Sequence, residues 1–162
     1  MATLLDRVLT NAHICEVRVA FTGDVTPSTL SMWQPFYNST FDGESFEKLY
    51  ATIASIDFEE ESNKSAAGVS YKQKVVFRFP NSDPRRPERI AMIHRIKWVN
   101  LTLSNGLVIT VGRNDHGQNT KPTIKTKTNA HLCEVSIETT SIFPSGYAPT
   151  VPGFNGLIPF SF

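Results

Sequence analysis

The sequence predicts a mainly β domain: an antiparallel β-sandwich or barrel with one flanking helix at about residues 84–96. Three observations carry this. HICEVRVAF (13–21) and VSYKQKVVFRFP (69–80) place apolar and polar residues on alternate positions, the period of a strand with one buried face. Asn105-Gly106 separates two apolar runs, a strong short-range signal for a hairpin. DPRRPERIAMIHRI (83–96) spaces its apolar residues for a helix and is the best helical stretch in the chain. A length of 162 residues suits a single domain with a real core, expected over 1–142 and followed by an extended arm at 143–162. Charged residues are 19% of the chain, below the usual ~25%. Much of the surface is therefore Ser, Thr, Asn and apolar groups, as in a β-rich chain that covers itself with further copies.

In 13–21, His13, Cys15, Val17, Val19 and Phe21 are expected on one face and Ile14, Glu16, Arg18 and Ala20 on the other. Residues 22–45 are rich in Gly, Pro, Asn and Ser but also hold Trp33, Phe36, Tyr37 and Phe41. A long loop with that aromatic content is expected to pack on its own domain or on a neighbour. Residues 45–61 read two ways, as a helix capped by Ser45 or as a strand; the alternation from Tyr50 to Phe58 favours a strand over 48–60. SNKSAAG (62–68) is a turn, and the strand at 69–80 closes a hairpin on the one before it. Asp83 is the candidate N-cap of the helix, with Pro84 at its first position and Pro87 still inside the first turn. KWVNLTLSNGLVITVGR (97–113) is strand, turn, strand, and TIKTKTNAHLCEVSIETT (123–140) supplies the last strand or two. From Phe143 onward Pro and Gly forbid regular structure, yet Tyr147, Phe154, Phe160 and Phe162 are too apolar for a solvated tail. An arm laid on an adjacent subunit or partner is expected.

TNAHICEV (10–17) returns almost unchanged as TNAHLCEV (128–135). His13, Cys15, His131 and Cys133 are the residue types of a Cys₂His₂ zinc site, but flat strands make poor tetrahedral corners. The favoured reading has no metal and no cofactor: the cysteines are small buried hydrophobes and the histidines stand at strand ends. A duplicated domain is disfavoured, because the residues after Val17 do not resemble those after Val135. Two neighbouring strands that enter one sheet through the same phrase would account for it.

No P-loop, dinucleotide fingerprint, HExxH or GxSxG occurs, and His116 beside Asp115 is not a dyad, because adjacent side chains diverge. The chain is expected not to be an enzyme. Net charge is +1, so no global field draws nucleic acid or membrane, and no run reaches the ~20 apolar residues of a span. MATLLDRVLTNAH lacks the charged start of a signal peptide, so synthesis in a cytoplasm is expected. Charge is patterned locally: DFEEE (57–61) is acidic, and 72–97 is basic through Lys72, Lys74, Arg78, Arg85, Arg86, Arg89, Arg95 and Lys97. Ordinary surface charge, complementary patches between subunits, and phosphate contacts to a passing nucleic acid are all open for it. Arg78, Arg85, Arg86 and Arg89 are the candidate contacts.

The order AGVSYKQKVVFRFP, DPRRPERIAMIHRI, VNLTLSNGLVITVGR and HLCEVSIETTSIFPSGY resembles small virion proteins of tailed bacteriophages, of the head–tail connector, tail-completion and tail-tube kind. The resemblance covers about residues 68–147. It implies a β-sandwich or barrel with one helix, and a homo-oligomeric ring or tube in the neck or tail around a DNA channel. It further implies other virion proteins as partners, non-specific contact with passing DNA, and a location in the host cytoplasm and then the virion. Trp33, Phe36, Tyr37, Phe41, Tyr147, Phe154, Phe160 and Phe162 then become subunit-interface residues, since aromatics are favoured there. The alternatives are a monomeric cytosolic binding module whose 32–41 loop takes a small ligand or peptide, and a capsid or coat subunit of another kind.

Overall fold

A computed structural model describes residues 12–21, 46–52, 55–112, 120–142 and 144–145. Among these residues eight strands and one helix run β1 (Ile14–Ala20), β2 (Glu47–Leu49), β3 (Asp57–Ser65), β4 (Gly68–Pro80), α1 (Arg86–Ile93), β5 (Trp98–Leu103), β6 (Val108–Val111), β7 (Thr123–Thr128) and β8 (Leu132–Ser141). They form two four-stranded sheets, β2-β1-β5-β6 and β3-β4-β8-β7, with every pairing antiparallel. The result is a β-sandwich with one flanking helix, as the alternation and the helical stretch at 83–96 predict. Val17, Val19, Val99, Leu101 and Val111 of the first sheet meet Val75, Phe77, Phe79, Cys133, Val135 and Ile137 of the second. Ile93 and Ile96 close one end of that core.

The chain alternates between layers. β1 and β2 lie in the first sheet and β3 and β4 in the second; after α1, β5 and β6 return to the first and β7 and β8 to the second. In each half the inner strand comes first in the first sheet and last in the second. The topology thus repeats where the sequence does not. The TNAH phrases ignore this repeat: they precede β1 and β8, which are not equivalent in it and lie in different sheets. The expectation of two neighbouring strands is therefore corrected. Both strands are interior to their sheets, and in both the Glu of the phrase faces outward while the Val is buried, as for Glu16 and Val17 and for Glu134 and Val135. A shared inside–outside pattern remains as the physical likeness between them.

Four local expectations change. In β1 the alternation breaks at Cys15, an extra residue in a bulge between Ile14 and Glu16 opposite Leu103 and Thr102. Ile14, not His13, therefore joins Val17, Val19 and Phe21 against the core. The expected strand at 48–60 is two strands in different sheets, β2 and β3. Between them Thr52 donates its N–H to the Arg78 carbonyl at 3.0 Å and Ser55 donates to Thr52 at 2.8 Å, carrying the chain across the edge of the sandwich. The turn at 62–68 shrinks to Ala66 and Ala67, because the β3–β4 ladder runs on until Ser65 faces Gly68. The helix spans 86–93 rather than 84–96. Asp83 accepts the Arg85 N–H on its side chain at 2.9 Å and the Arg86 N–H on its carbonyl at 3.1 Å, so Pro84 and Arg85 are spent on a turn before the helix. At the other end Arg95 and Ile96 donate to carbonyls three residues back, tightening the chain out of the helix.

The Asn105-Gly106 hairpin forms as expected. Gly106 donates to Leu103 at 2.9 Å at a positive φ of 85°, and the Asn105 side chain accepts the Leu107 N–H at 3.1 Å. The second TNAH makes the β7–β8 turn. There the Asn129 side chain accepts the N–H groups of His131 and Leu132 at 2.8 and 2.7 Å, and Asn81 binds the Asn129 and His131 carbonyls.

Candidate functional site

Two surfaces carry chemistry. The first is the outer face of the second sheet. Because the strand period is two, each strand puts every other residue there. β3 supplies Asp57, Glu59 and Glu61, opposite Val76, Lys74 and Lys72 of β4. β4 adds Arg78, and β8 answers with Glu134 and Glu138 opposite Arg78 and Lys74. β7, on the far edge, presents Lys125 and Lys127, the latter opposite Glu134. Read across the sheet, the strands are acidic, basic, acidic, basic. Arg78 sits in the middle of the pattern, 2.8 Å from the Glu134 carboxylate and 3.7 Å from that of Asp57, and Lys72 lies 3.6 Å from Glu138. Each such cross-strand pair contributes roughly 0.2–1 kcal/mol.

The acidic 57–61 stretch thus lies against the basic strand after it within one chain, with Asp57 and Arg78 as the ion pair between β3 and β4 among the described residues. The basic run does not form one patch. Lys72, Lys74 and Arg78 lie on this face, Arg85 and Arg95 are exposed beside α1, and Lys97 is buried with its ammonium 5.6 Å from the Trp98 ring centroid. Arg86 donates to Thr128 at 3.0 Å. Arg89 pairs with Asp83 and lies over the rings of Tyr50 and Phe79 at 5.6 and 5.7 Å.

The second surface is a cleft of about 270 Å³ between edge strand β2 and α1. Its floor is apolar (Val19, Phe21, Leu49, Ile93 and Ile96) and its rim carries Lys48, Tyr50, Arg85, Glu88 and Arg89. Tyr50 is 59% exposed and Met92 47%. The volume falls just under the ~300 Å³ where small-molecule sites usually begin. Asp83 anchors the Arg89 side of the rim. The Arg85 backbone N–H chiefly holds its carboxyl below the ordinary aspartate value, against the opposing cost of burial and with the Arg89 guanidinium adding to the lowering. A lowered folded-state value means that the contact stabilises fully above the ordinary value and loses its effect as pH falls through the lowered one. An NMR titration of the Asp83 carboxyl should therefore show a midpoint below that of a free aspartate. Arg89→Gln should move it part of the way back, since the Arg85 N–H remains; an unmoved midpoint would exclude the guanidinium as a cause. On β1, the Arg18 hydrogen bond, aided by Lys48 at 3.1 Å and opposed by burial, likewise lowers Glu16.

Among the described residues no three His, Cys, Asp or Glu side chains stand together to hold a metal ion. The zinc arrangement of His13, Cys15, His131 and Cys133 is split between opposite sheets. His13 leads into β1 and exchanges hydrogen bonds with Ser104, and Cys133 is fully buried in the core; Cys15 is half-buried at the bulge. Trp33, Phe36, Tyr37, Phe41, Tyr147, Phe154, Phe160, Phe162 and His116 lie outside the described residues. Of the C-terminal arm only Pro144 and Ser145 are described, and the Ser145 N–H donates to Glu60 of the same chain at 2.6 Å. The same carboxylate oxygen accepts from the buried Gln73 amide at 3.0 Å.

Sequence reasoning missed the striped face, although its signal was present. Glu59 and Glu61, Lys72 and Lys74, and Lys125 and Lys127 are like-charged pairs at the spacing of one strand face. No helix among the described residues is long and apolar enough to cross a membrane. Comparisons with protein-family models, curated proteins and solved structures find no match to this chain.

Proposed function

We propose that this chain is a self-assembling structural subunit of a tailed-phage particle, forming a ring or tube in the neck or tail around the DNA channel. The observation that carries the reading is the pair of open sheets. Among the described residues β2 and β6 border one sheet and β3 and β7 the other, each with a neighbour on one side only. Strand edges are a liability in a free monomer and a means of joining in a closed assembly. The resemblance over 68–147 points the same way. Contact with passing DNA falls to exposed cations such as Arg85 and Arg95, through phosphates and without base readout.

The cleft beside α1 favours a second reading, a monomeric module that binds a small ligand or peptide over the apolar floor. Native mass spectrometry across a concentration range, with negative-stain microscopy, separates the two. A discrete multiple of the chain mass, seen as rings or growing into tubes, is the expected result. A monomer at every concentration would remove the assembly reading and leave the cleft. A closed shell would instead identify a capsid subunit.

A further inference from the structure

We infer that copies of this chain join head to tail through the second sheet, with β7 of one copy adding to β3 of the next. The inference rests on the proposed assembly and names the surface that performs it.

The two edges of this sheet are not alike. Among the described residues β3 ends the sheet on its outer face with Asp57, Glu59 and Glu61, and β7 ends it with Lys125 and Lys127. Lys121 stands exposed just before β7. Among the described residues no ion pair engages Glu59, Glu61, Lys125 or Lys127. A second copy placed with its β3 against β7 continues the run of acidic and basic strands without a fault. It also continues the hydrogen-bonding pattern. The strands of the sheet alternate in direction, so β7 runs opposite to β3, and a translated copy presents its β3 antiparallel to β7. Directly opposed residues in an antiparallel pair share a face, so the lysines at 125 and 127 meet carboxylates of the neighbour.

The symmetric alternatives are worse. A two-fold pairing of β3 with β3 sets carboxylates against carboxylates, and one of β7 with β7 sets lysines against lysines; like charges directly opposite destabilise a sheet. Charge therefore selects the heterologous contact, which generates a ring when its rotation closes and a filament when it does not. Charged edges also serve simply to keep strands apart. That role is met by any charge on either edge and does not require acid on one and base on the other.

The test exchanges the charges. Two variants, Lys125→Glu with Lys127→Glu and Glu59→Lys with Glu61→Lys, are compared with the native chain and with the four-fold exchange, by native mass spectrometry at low ionic strength. Far-UV circular dichroism checks that each is folded. Each two-residue variant alone should be monomeric. Their equimolar mixture should recover assemblies holding equal numbers of both chains, and the four-fold exchange should recover assembly by itself. Two-residue variants that assemble like the native chain, or a mixture of folded variants that stays monomeric, would overturn the edge pairing while leaving a native ring intact. A native chain that is monomeric throughout would overturn the edge pairing and the assembly reading together.

Discussion

Phe77→Ala is expected to cost about 3–5 kcal/mol, the usual loss for truncating a fully buried aromatic. Phe77 is completely buried in the C-terminal half of β4, the interior strand of its sheet, just beyond the point where the β3 ladder ends at Val76. Its partner across the ladder is Val135, itself buried, and the valines and leucine of the first sheet lie across the core. Removing the ring opens a cavity that the flanking strands cannot fill, because the β8 ladder on one side and the Thr52 N–H bonded to the Arg78 carbonyl on the other hold this part of β4 in place. For a chain of this size the loss lowers the melting temperature by roughly 10–15 °C. Thermal unfolding followed by circular dichroism measures it, with Phe77→Leu, which keeps most of the volume, as the milder comparison. A shift of only one or two degrees would mean that the two sheets are not packed face to face at this point. The outward charges of β3 and β7 do not depend on the ring, so at temperatures where the variant stays folded its assembly should match that of the native chain.

The sequence was legible where one strand or one turn decides the outcome. The alternation of 69–80 is β4 but for its first residue, Gly68, and Asn105-Gly106 is a hairpin, because both signals are local. The Pro-containing helix was legible in kind, but its start moved, since Asp83 spends its side chain on a turn rather than on a cap. Features that depend on neighbours were hidden. The run at 48–60 reads as one strand through the alternation from Tyr50 to Phe58, and nothing in it announces that Leu49 belongs to one sheet and Asp57 to the other. The Cys15 bulge is set by its register against β5, which lies far along the chain. The striped face needed the strand order itself: Glu59, Lys74 and Glu138 become a row only once β3, β4 and β8 are known to be adjacent. Periodicity assigns a residue to a face and leaves its neighbours on that face to the topology.

Gly112→Ala is the second large effect, expected at about 2–4 kcal/mol. Gly112 follows β6 at a φ of 139°, a conformation nearly reserved for glycine and worth roughly 1–3 kcal/mol of strain for any other residue. Space is the larger obstacle. A β-carbon there would lie 2.9 Å from Cε3 of Trp98 and closer still to the Lys97 carbonyl oxygen. Neither neighbour can retreat cheaply: Trp98 is fully buried, and the Lys97 N–H is bonded to the Ala20 carbonyl at 2.8 Å, which ties that segment to β1. Gly106 supplies the comparison. It also has a positive φ, of 85°, but a β-carbon there meets nothing within 4 Å. Gly106→Asn, whose side chain tolerates that region, should therefore cost much less than Gly112→Ala. Chemical denaturation of both variants decides the point. If the two lose equal stability, backbone conformation alone sets the cost and the close approach of Gly112 to Trp98 adds nothing. If Gly112→Ala loses more, the contact where β6 leaves the first sheet is a rigid part of the fold.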